Sequence, residues 1–338
     1  MTQTRILVTG GAGFIGSALV RRLVASGRYQ VLNFDKVTYA GNLASLKDVE
    51  DAPGYAFRRA DVCDAAAVRK ALREFQPQVI THLAAESHVD RSILSPAPAF
   101  ETNLRGTFTL LEAARLNKTP RFLHVSTDEV YGSIDAPHEA DEHYPLRASS
   151  PYSASKAGSD LLALSYFVTY KLPVTVTRAS NNYGPYQFPE KLIPLMISNA
   201  IADQSLPIYG DGMQVRDWLY VDDHCRAILA CVERGRPGEV YNIGGSRSLA
   251  NVEVVKMMLA MLGKPESLMV TVKDRPGHDR RYALSSEKLI RETGWEAQMH
   301  FEKGLQATID WFKTNSNWIA RVKSGEYQSY YEKNYAGR

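Results

Sequence analysis

The chain has 338 residues, 44% of them hydrophobic and 23% charged, an ordinary globular balance with ample apolar material for a buried core. Forty Lys and Arg against 37 Asp and Glu leave a net charge of +3 spread along the chain, which argues against nucleic-acid or membrane-surface binding. A spanning helix needs ~20 consecutive apolar residues, and the longest candidate, starting at Leu161, stops at Lys171.

In chain order, the first half alternates short β-branched runs with longer helical patterns, the signature of parallel β-α-β units covered on both faces. Strands are predicted at 5–9, 30–35, 55–60, 79–84, 122–126 and 174–179. The first begins so early that no signal peptide is expected. Between them, Ile15, Leu19 and Leu23 recur every four residues, and Phe100, Leu104, Phe108 and Leu111 every three or four, giving helices with one apolar stripe. Gly27 is the expected C-cap of the first helix, and Asn117 marks a helix end rather than a glycosylation site. After Ala179, residues 181–187 and 206–212 are rich in Pro, Gly, Asn and Tyr and read as binding loops. A helix at 221–234 and a strand at 240–244 return to the first layer. Residues 251–318 read as two helices around a strand at 269–272.

The expected architecture is therefore α/β, a doubly wound parallel sheet of Rossmann type with a smaller, discontinuous α+β lobe. The sheet domain takes residues 1–180 plus about 221–248, and the lobe takes 181–220 plus about 249–338. Cys63, Cys225 and Cys231 form no CxxC pair, so neither a zinc cluster nor a disulfide framework is indicated, and a reduced, cytoplasmic setting is expected. His82, His124, His138, His143 and His300 show no ligand spacing, so no metal site is expected.

Chemistry enters at the first strand-helix junction. Glycines at 10, 13 and 16 lie directly between the first strand and first helix: Gly10 for a tight turn, Gly13 for close approach of a pyrophosphate, and Gly16 for helix packing. The helix N-terminus supplies free N–H groups and a partial positive charge. Asp35 closes the second strand, where a carboxylate accepts from the adenosine ribose hydroxyls and repels a 2′-phosphate. That favours NAD over NADP, with Lys36 working against the discrimination.

Tyr152 and Lys156 stand four residues apart on one helix face. A phenol titrates near ~10, so action as a base at neutral pH costs ~4 kcal/mol, which a partly desolvated cation beside it can offset. Taken with the glycine fingerprint, this pair resembles the extended short-chain dehydrogenase/reductase family, whose members act mostly on nucleotide sugars. Thr127-Asp128-Glu129-Val130-Tyr131-Gly132 narrows the resemblance to the nucleotide-diphosphate-glucose 4,6-dehydratases. Long stretches agree along nearly the whole chain: Ala84 to Ser92, Asn181 to Pro194, Arg216-Asp217-Trp218, and Arg275-Pro276-Gly277-His278-Asp279.

The resemblance implies a mechanism. Tyr152 removes the C4 hydroxyl proton as the C4 hydride passes to NAD, Thr127 bonds the C4 oxygen, and a carboxylate abstracts the acidified C5 proton. Another carboxyl donates to the departing C6 hydroxyl. The residues alone permit either order for the two acids; the family makes Glu129 the base and Asp128 the acid, which requires Asp128 to hold a proton near neutrality. NADH returns that hydride to C6, so NAD is regenerated within each cycle and stays bound.

The same resemblance extends the cofactor contacts to Phe14, Ile15, Thr38, Asp61, Val62, Leu83, Ala85, Thr102 and Asn182, with Tyr152 and Lys156 at the nicotinamide end. Arg216 and Asn251 would face the substrate pyrophosphate, Pro207 to Tyr209 the base and ribose, and Ser87, Asn181 and Thr127 the sugar. Lys191, Leu192, Arg275 and His278 complete the substrate set. Thymidine is the first expectation for the nucleoside, with UDP- and CDP-glucose open, because one methyl group contributes only ~1 to 3 kcal/mol in a pocket. A 4-epimerase, a decarboxylase and a silent NAD-binding scaffold are the rival readings. Asp128 argues against the first two, and the four grouped catalytic side chains against the third. Helices near 100–116 and 154–170 carry apolar residues on more than one face, including Leu161, Leu162, Leu164, Tyr166 and Phe167, so a homodimer is expected.

Overall fold

The computed structural model describes residues 3–245 and 247–323. Residues 324–338 of the expected lobe lie outside the described residues, as do positions 1, 2 and 246. Seven strands form one sheet: β1 (Thr4–Thr9), β2 (Tyr29–Asp35), β3 (Tyr55–Arg59), β4 (Val79–His82), β5 (Phe122–Thr127), β6 (Val174–Ala179) and, after a long excursion, β10 (Val240–Ile243). Their order is β3-β2-β1-β4-β5-β6-β10 and every pairing is parallel. The direction of winding reverses between β1 and β4, the switch point where ligands bind in open α/β sheets. This is the Rossmann-type α/β sheet expected from the pattern of runs. The fourth strand is shorter than the apolar run: it stops at His82, and residues 83 and 84 become loop above the glycine turn.

Period-2 alternation builds the two faces. Ile6 and Val8 point into a core shared with α1 (Phe14–Ala25). Leu7 points the other way, to a core shared with α2 (Ala65–Phe75). Past β4 come α3 (Val89–Leu94) and α4 (Ala97–Ala99), which runs through a π-helical segment, Phe100–Arg105, into α5 (Gly106–Leu116). The long helix α6 (Pro151–Tyr170) follows β5, with Ser150 capping its N-terminus by accepting from the Ser153 N–H at 3.1 Å and Pro151 at its first position. Helices α5 and α6 join α2 on the Leu7 face. The C-cap of α1 is Ser26, and Gly27 stands just past it at φ +66°.

The segments read as loops contain two short strands: β7 (Asn181–Tyr183), followed by α7 (Leu192–Ile201), and then β8 (Leu206–Tyr209). Beyond them lie β9 (Val215–Tyr220) and α8 (Val221–Arg234), which returns to the Ile6 face. Then come β11 (Arg247–Ala250), α9 (Asn251–Leu262) and β12 (Met269–Val272). Strand β9 lies between β11 and β7, and among the described residues β8 pairs only with β12. Pro207 is tolerated in β8 because a two-stranded ribbon leaves each strand one free edge. The C-terminal part has more helix than the two expected: α10 (Glu287–Thr293), α11 (Phe301–Thr314) and α12 (Ser316–Val322) follow β12. Helix α10 joins the Ile6 face, and α7, α9 and α11 enclose a separate core of Ile193, Ile197, Met258, Leu305 and Ile309. No described helix is long and apolar enough to cross a membrane.

Candidate active site

The glycine turn is fixed by close packing at two positions. Gly10 sits at φ +71°, and a Cβ there would come within 2.6 Å of the Ala84 backbone; one on Gly16 would overlap the Gly10 carbonyl oxygen. With no side chain in the way, the α1 N-terminus opens onto a cleft along the C-terminal ends of β1, β2, β4 and β5. Asp35 closes the far side. Its Oδ2 accepts from the Ala12 N–H at 2.9 Å and its Oδ1 from the Val37 N–H at 2.7 Å, so the carboxylate also ties the glycine loop to β2. Lys36 lies 3.4 Å from Asp61, a pairing that reduces its pull on a 2′-phosphate.

Gly10, Gly13, Phe14, Ile15, Gly16, Asp35, Lys36, Thr38, Val62, Leu83, Ala85, Thr102, Tyr152, Lys156 and Asn182 all line this cleft. Asp61 does not: its carboxylate accepts from the Cys63 N–H at 2.8 Å and faces Lys36. Glycine turn, helix N-terminus and acidic strand end together fit a dinucleotide. Sequence reasoning missed several other wall residues. Glu86 and Glu190 lie within the family-like stretches 84–92 and 181–194, and no local spacing marks them as wall residues. His224, on α8, accompanied none of those stretches; its Nδ1 lies 2.9 Å from Asn182 Oδ1.

At the end of β5 the chain enters a 3-10 turn, Asp128–Tyr131, because the Thr127 Oγ1 caps it by accepting from the Glu129 N–H at 3.3 Å. The turn places Thr127, Asp128 and Glu129 on the cleft wall beside Tyr152 and Lys156 from α6. Asp128 is 1% exposed and its Oδ2 has no hydrogen-bond partner, so burial, reinforced by Glu129, pushes its pKa well above the carboxylate range. Glu129 is also raised by burial, but Arg275, Lys191 and Arg216 pull it down. Both neighbouring acids are thus raised, Asp128 far more than Glu129, because three cations act against burial at Glu129 and one, Arg216, does so at Asp128.

The phenol of Tyr152 is pushed up by its surroundings, first by burial and then by Glu129 and Asp128, while a hydrogen bond from Thr127 acts downward. Lys156 is buried, with Nζ donating to the Val125 carbonyl at 2.8 Å, and desolvation lowers its pKa to about 8.

A second cleft opens beside the first and shares the walls Glu129, Asn181, Glu190, Lys191, Leu192 and Trp218 with it. It brings together Pro207, Tyr209, Arg216, Asn251, Arg275 and His278 from β8, β9, α9 and the loop after β12. Ser87 and Thr127 lie on the dinucleotide side. Lys191 Nζ donates to the Ser87 carbonyl at 2.6 Å, and Arg275 bonds Asp90 at 2.9 Å, as does the Tyr209 hydroxyl. Arg216 donates to the carbonyls of Val215 and Asp279 and stacks 4.2 Å above the Tyr282 ring, which fixes its charge at the wall. Asn181 and Asn251 each present a buried Oδ1 without a hydrogen-bond partner. Three cations and two amides on one wall suit a diphosphate.

The family model described as GDP-mannose 4,6 dehydratase matches residues 7–308. The chain is 53% identical to the dTDP-glucose 4,6-dehydratase of Shigella flexneri over 99% of both chains. Among solved structures, the dTDP-glucose 4,6-dehydratase of Streptomyces venezuelae with NAD and TYD bound is 48% identical, with TM-score 0.93, covering 95% of this chain and 100% of that one. The UDP-glucose 4-epimerase of Thermus thermophilus, in complex with NAD, is 33% identical with TM-score 0.86, covering 92% and 100%. By family model and full-length identity, and with paired acids beside the tyrosine and lysine, the chain belongs to the nucleotide-sugar 4,6-dehydratases.

Proposed function

We propose that this chain is a hydro-lyase converting dTDP-glucose to dTDP-4-keto-6-deoxyglucose with tightly held NAD and no net redox change. The observation that carries the reading is the Asp128–Glu129 pair beside Tyr152 and Lys156, with Glu129 lining both clefts and Asp128 raised the more strongly of the two acids. The named activity of full-length relatives and the NAD bound in solved structures support it.

Bound NAD supplies a hydride acceptor for C4 and a donor for C6. Gly10, Gly13, Gly16 and the start of α1 would hold its pyrophosphate, Asp35 its adenosine ribose, and Lys156 the nicotinamide ribose. Tyr152 takes the C4 hydroxyl proton, and Thr127, bonded to that phenol, steadies the C4 oxygen. Positive charge in the cleft, Lys156 foremost, must offset the burial that raises the phenol. With a ketone at C4 the C5 proton is acidic; Glu129 removes it, and Asp128 gives its proton to the C6 hydroxyl, which departs as water. An epimerase expels nothing from C6 and has no use for a protonated Asp128.

Residues 1–180 with about 221–248 would carry the cofactor, and 181–220 with the region from about 249 the nucleotide sugar. Arg216, Arg275 and Lys191 are assigned to the substrate diphosphate, Asn251 and His278 to neutral hydrogen bonds beside it, and Pro207 and Tyr209 to the nucleoside. Turnover compared on dTDP-, UDP- and CDP-glucose tests the base: dTDP-glucose is expected to lead by about 10- to 200-fold, and equal rates would contradict the thymidine assignment. Asp35 predicts that NAD binds at least about tenfold more tightly than NADP, and equal dissociation constants by calorimetry would overturn it.

A homodimer is proposed through α5 and α6. Of the side chains on which the expectation rested, Leu161 is exposed, whereas Tyr166 is core and Leu162, Leu164 and Phe167 are partly buried against it. Phe108, Leu116 and Val168 extend the exposed apolar face. Light scattering at micromolar protein is expected to give twice the chain mass; a monomer would contradict it.

A further inference from the structure

We propose that Asp160 is a positioning residue that supplies the buried counter-charge for Lys156, held in place by Arg178 and His124 behind the catalytic wall. This inference rests on the reading of Lys156 given above. Lys156 and Asp160 are one turn apart on α6 and so share a face, and their exposures are 4% and 0%. The Lys156 ammonium bonds the Val125 carbonyl, a neutral acceptor that leaves its charge unmatched. The acid acting on it is Asp160, which opposes the desolvation of the amine.

Asp160 is itself tightly placed. Arg178 Nε donates to its Oδ2 at 2.9 Å, and His124 Nε2 lies 3.3 Å from its Oδ1. Arg178 also donates to the Tyr131 hydroxyl at 2.8 Å, which in turn donates to Asn242 Oδ1 at 2.8 Å. The cluster thus reaches from α6 across β5 and β6 to β10. The titratable groups near Lys156 are Asp160 on α6, His82 on β4 and His124 on β5; Tyr152, Asp128 and Glu129 line the same cleft, and Arg178 on β6 pairs with Asp160. Burial holds both histidines below their usual range, so they are neutral near pH 7 and leave the carboxylate to match the amine.

A purely architectural Asp160–Arg178 pair would stabilise the fold equally at every pH above the carboxylate range. A counter-charge for Lys156 would not. The amine already titrates below its unfolded value; without Asp160 it falls further, so folded Asp160→Asn sheds its proton at lower pH than the wild type and regains stability earlier as pH rises.

Two readouts test this between about pH 6 and about pH 9. The melting-temperature gap between wild type and Asp160→Asn is expected to narrow with pH, and the wild-type to variant ratio of single-turnover C4 oxidation rates to grow roughly tenfold. Because the single substitution would leave the Arg178 charge unmatched, Asp160→Asn/Arg178→Gln is measured alongside. A constant gap with a constant ratio in a folded variant would overturn the proposal, as would failure of both variants to fold. Wild type that never reduces NAD with dTDP-glucose would instead sink the proposed reaction, leaving the melting gap to judge Asp160.

Discussion

Asp128→Asn is expected to reduce its bound NAD on dTDP-glucose and then stall. The amide is nearly the same size as the carboxyl and, like the protonated acid, is neutral, so the Tyr152 side of the site and the C4 oxidation it serves are preserved. What the variant lacks is the proton that the C6 hydroxyl needs to leave, and loss of such a donor typically costs ~100- to 10,000-fold. Reduced cofactor should therefore accumulate in a single turnover while water loss slows by that factor. Elimination at the wild-type rate would remove Asp128 from the acid role and point to Glu129, the other order that two adjacent carboxyls permit. The wild-type pH dependence has a definite sign: water loss needs Asp128 protonated, so its rate falls as pH rises through the raised pKa of that buried carboxyl. Because Asp128 and Glu129 act on each other, the profile reports the pair.

Tyr152→Phe is expected to remove the step before that. The ring still fills its buried place, but no oxygen remains to take the C4 proton, so the transient of reduced-cofactor absorbance should fall by ~100-fold or more. A normal transient would exclude Tyr152 as the base. Crossed with Asp128→Asn, the two variants separate oxidation from elimination: the tyrosine variant stops before reduced cofactor forms, and the aspartate variant stops after.

Much of this site was legible in one dimension because its chemistry is local in sequence. Gly10, Gly13 and Gly16 are a turn and the start of a helix; Tyr152 and Lys156 are one helical turn; Thr127, Asp128 and Glu129 are consecutive and capped by their own first residue. What escaped depends on distant partners. Strand β8 reads as loop because Pro207 lies within it and Gly210 directly follows it, and its pairing with β12, far along the chain, makes it a strand. His224 gained significance from Asn182, 42 residues away. The pKa of Tyr152 depends on groups that only the fold brings near it. Spacing suggested that Lys156 would lower it, yet Glu129 and Asp128, brought alongside by folding, join burial in raising it. A pairwise motif names the participants, whereas the sum of the surrounding field sets their protonation.

The most direct test follows a single hydrogen. dTDP-glucose labelled with deuterium at C4 is incubated with the enzyme, and the product is read by mass spectrometry and NMR. Dehydration by internal hydride return predicts a 4-keto product lighter by one water with the deuterium in the C6 methyl group. A product of unchanged mass, epimerised at C4 and with its deuterium still there, would contradict it.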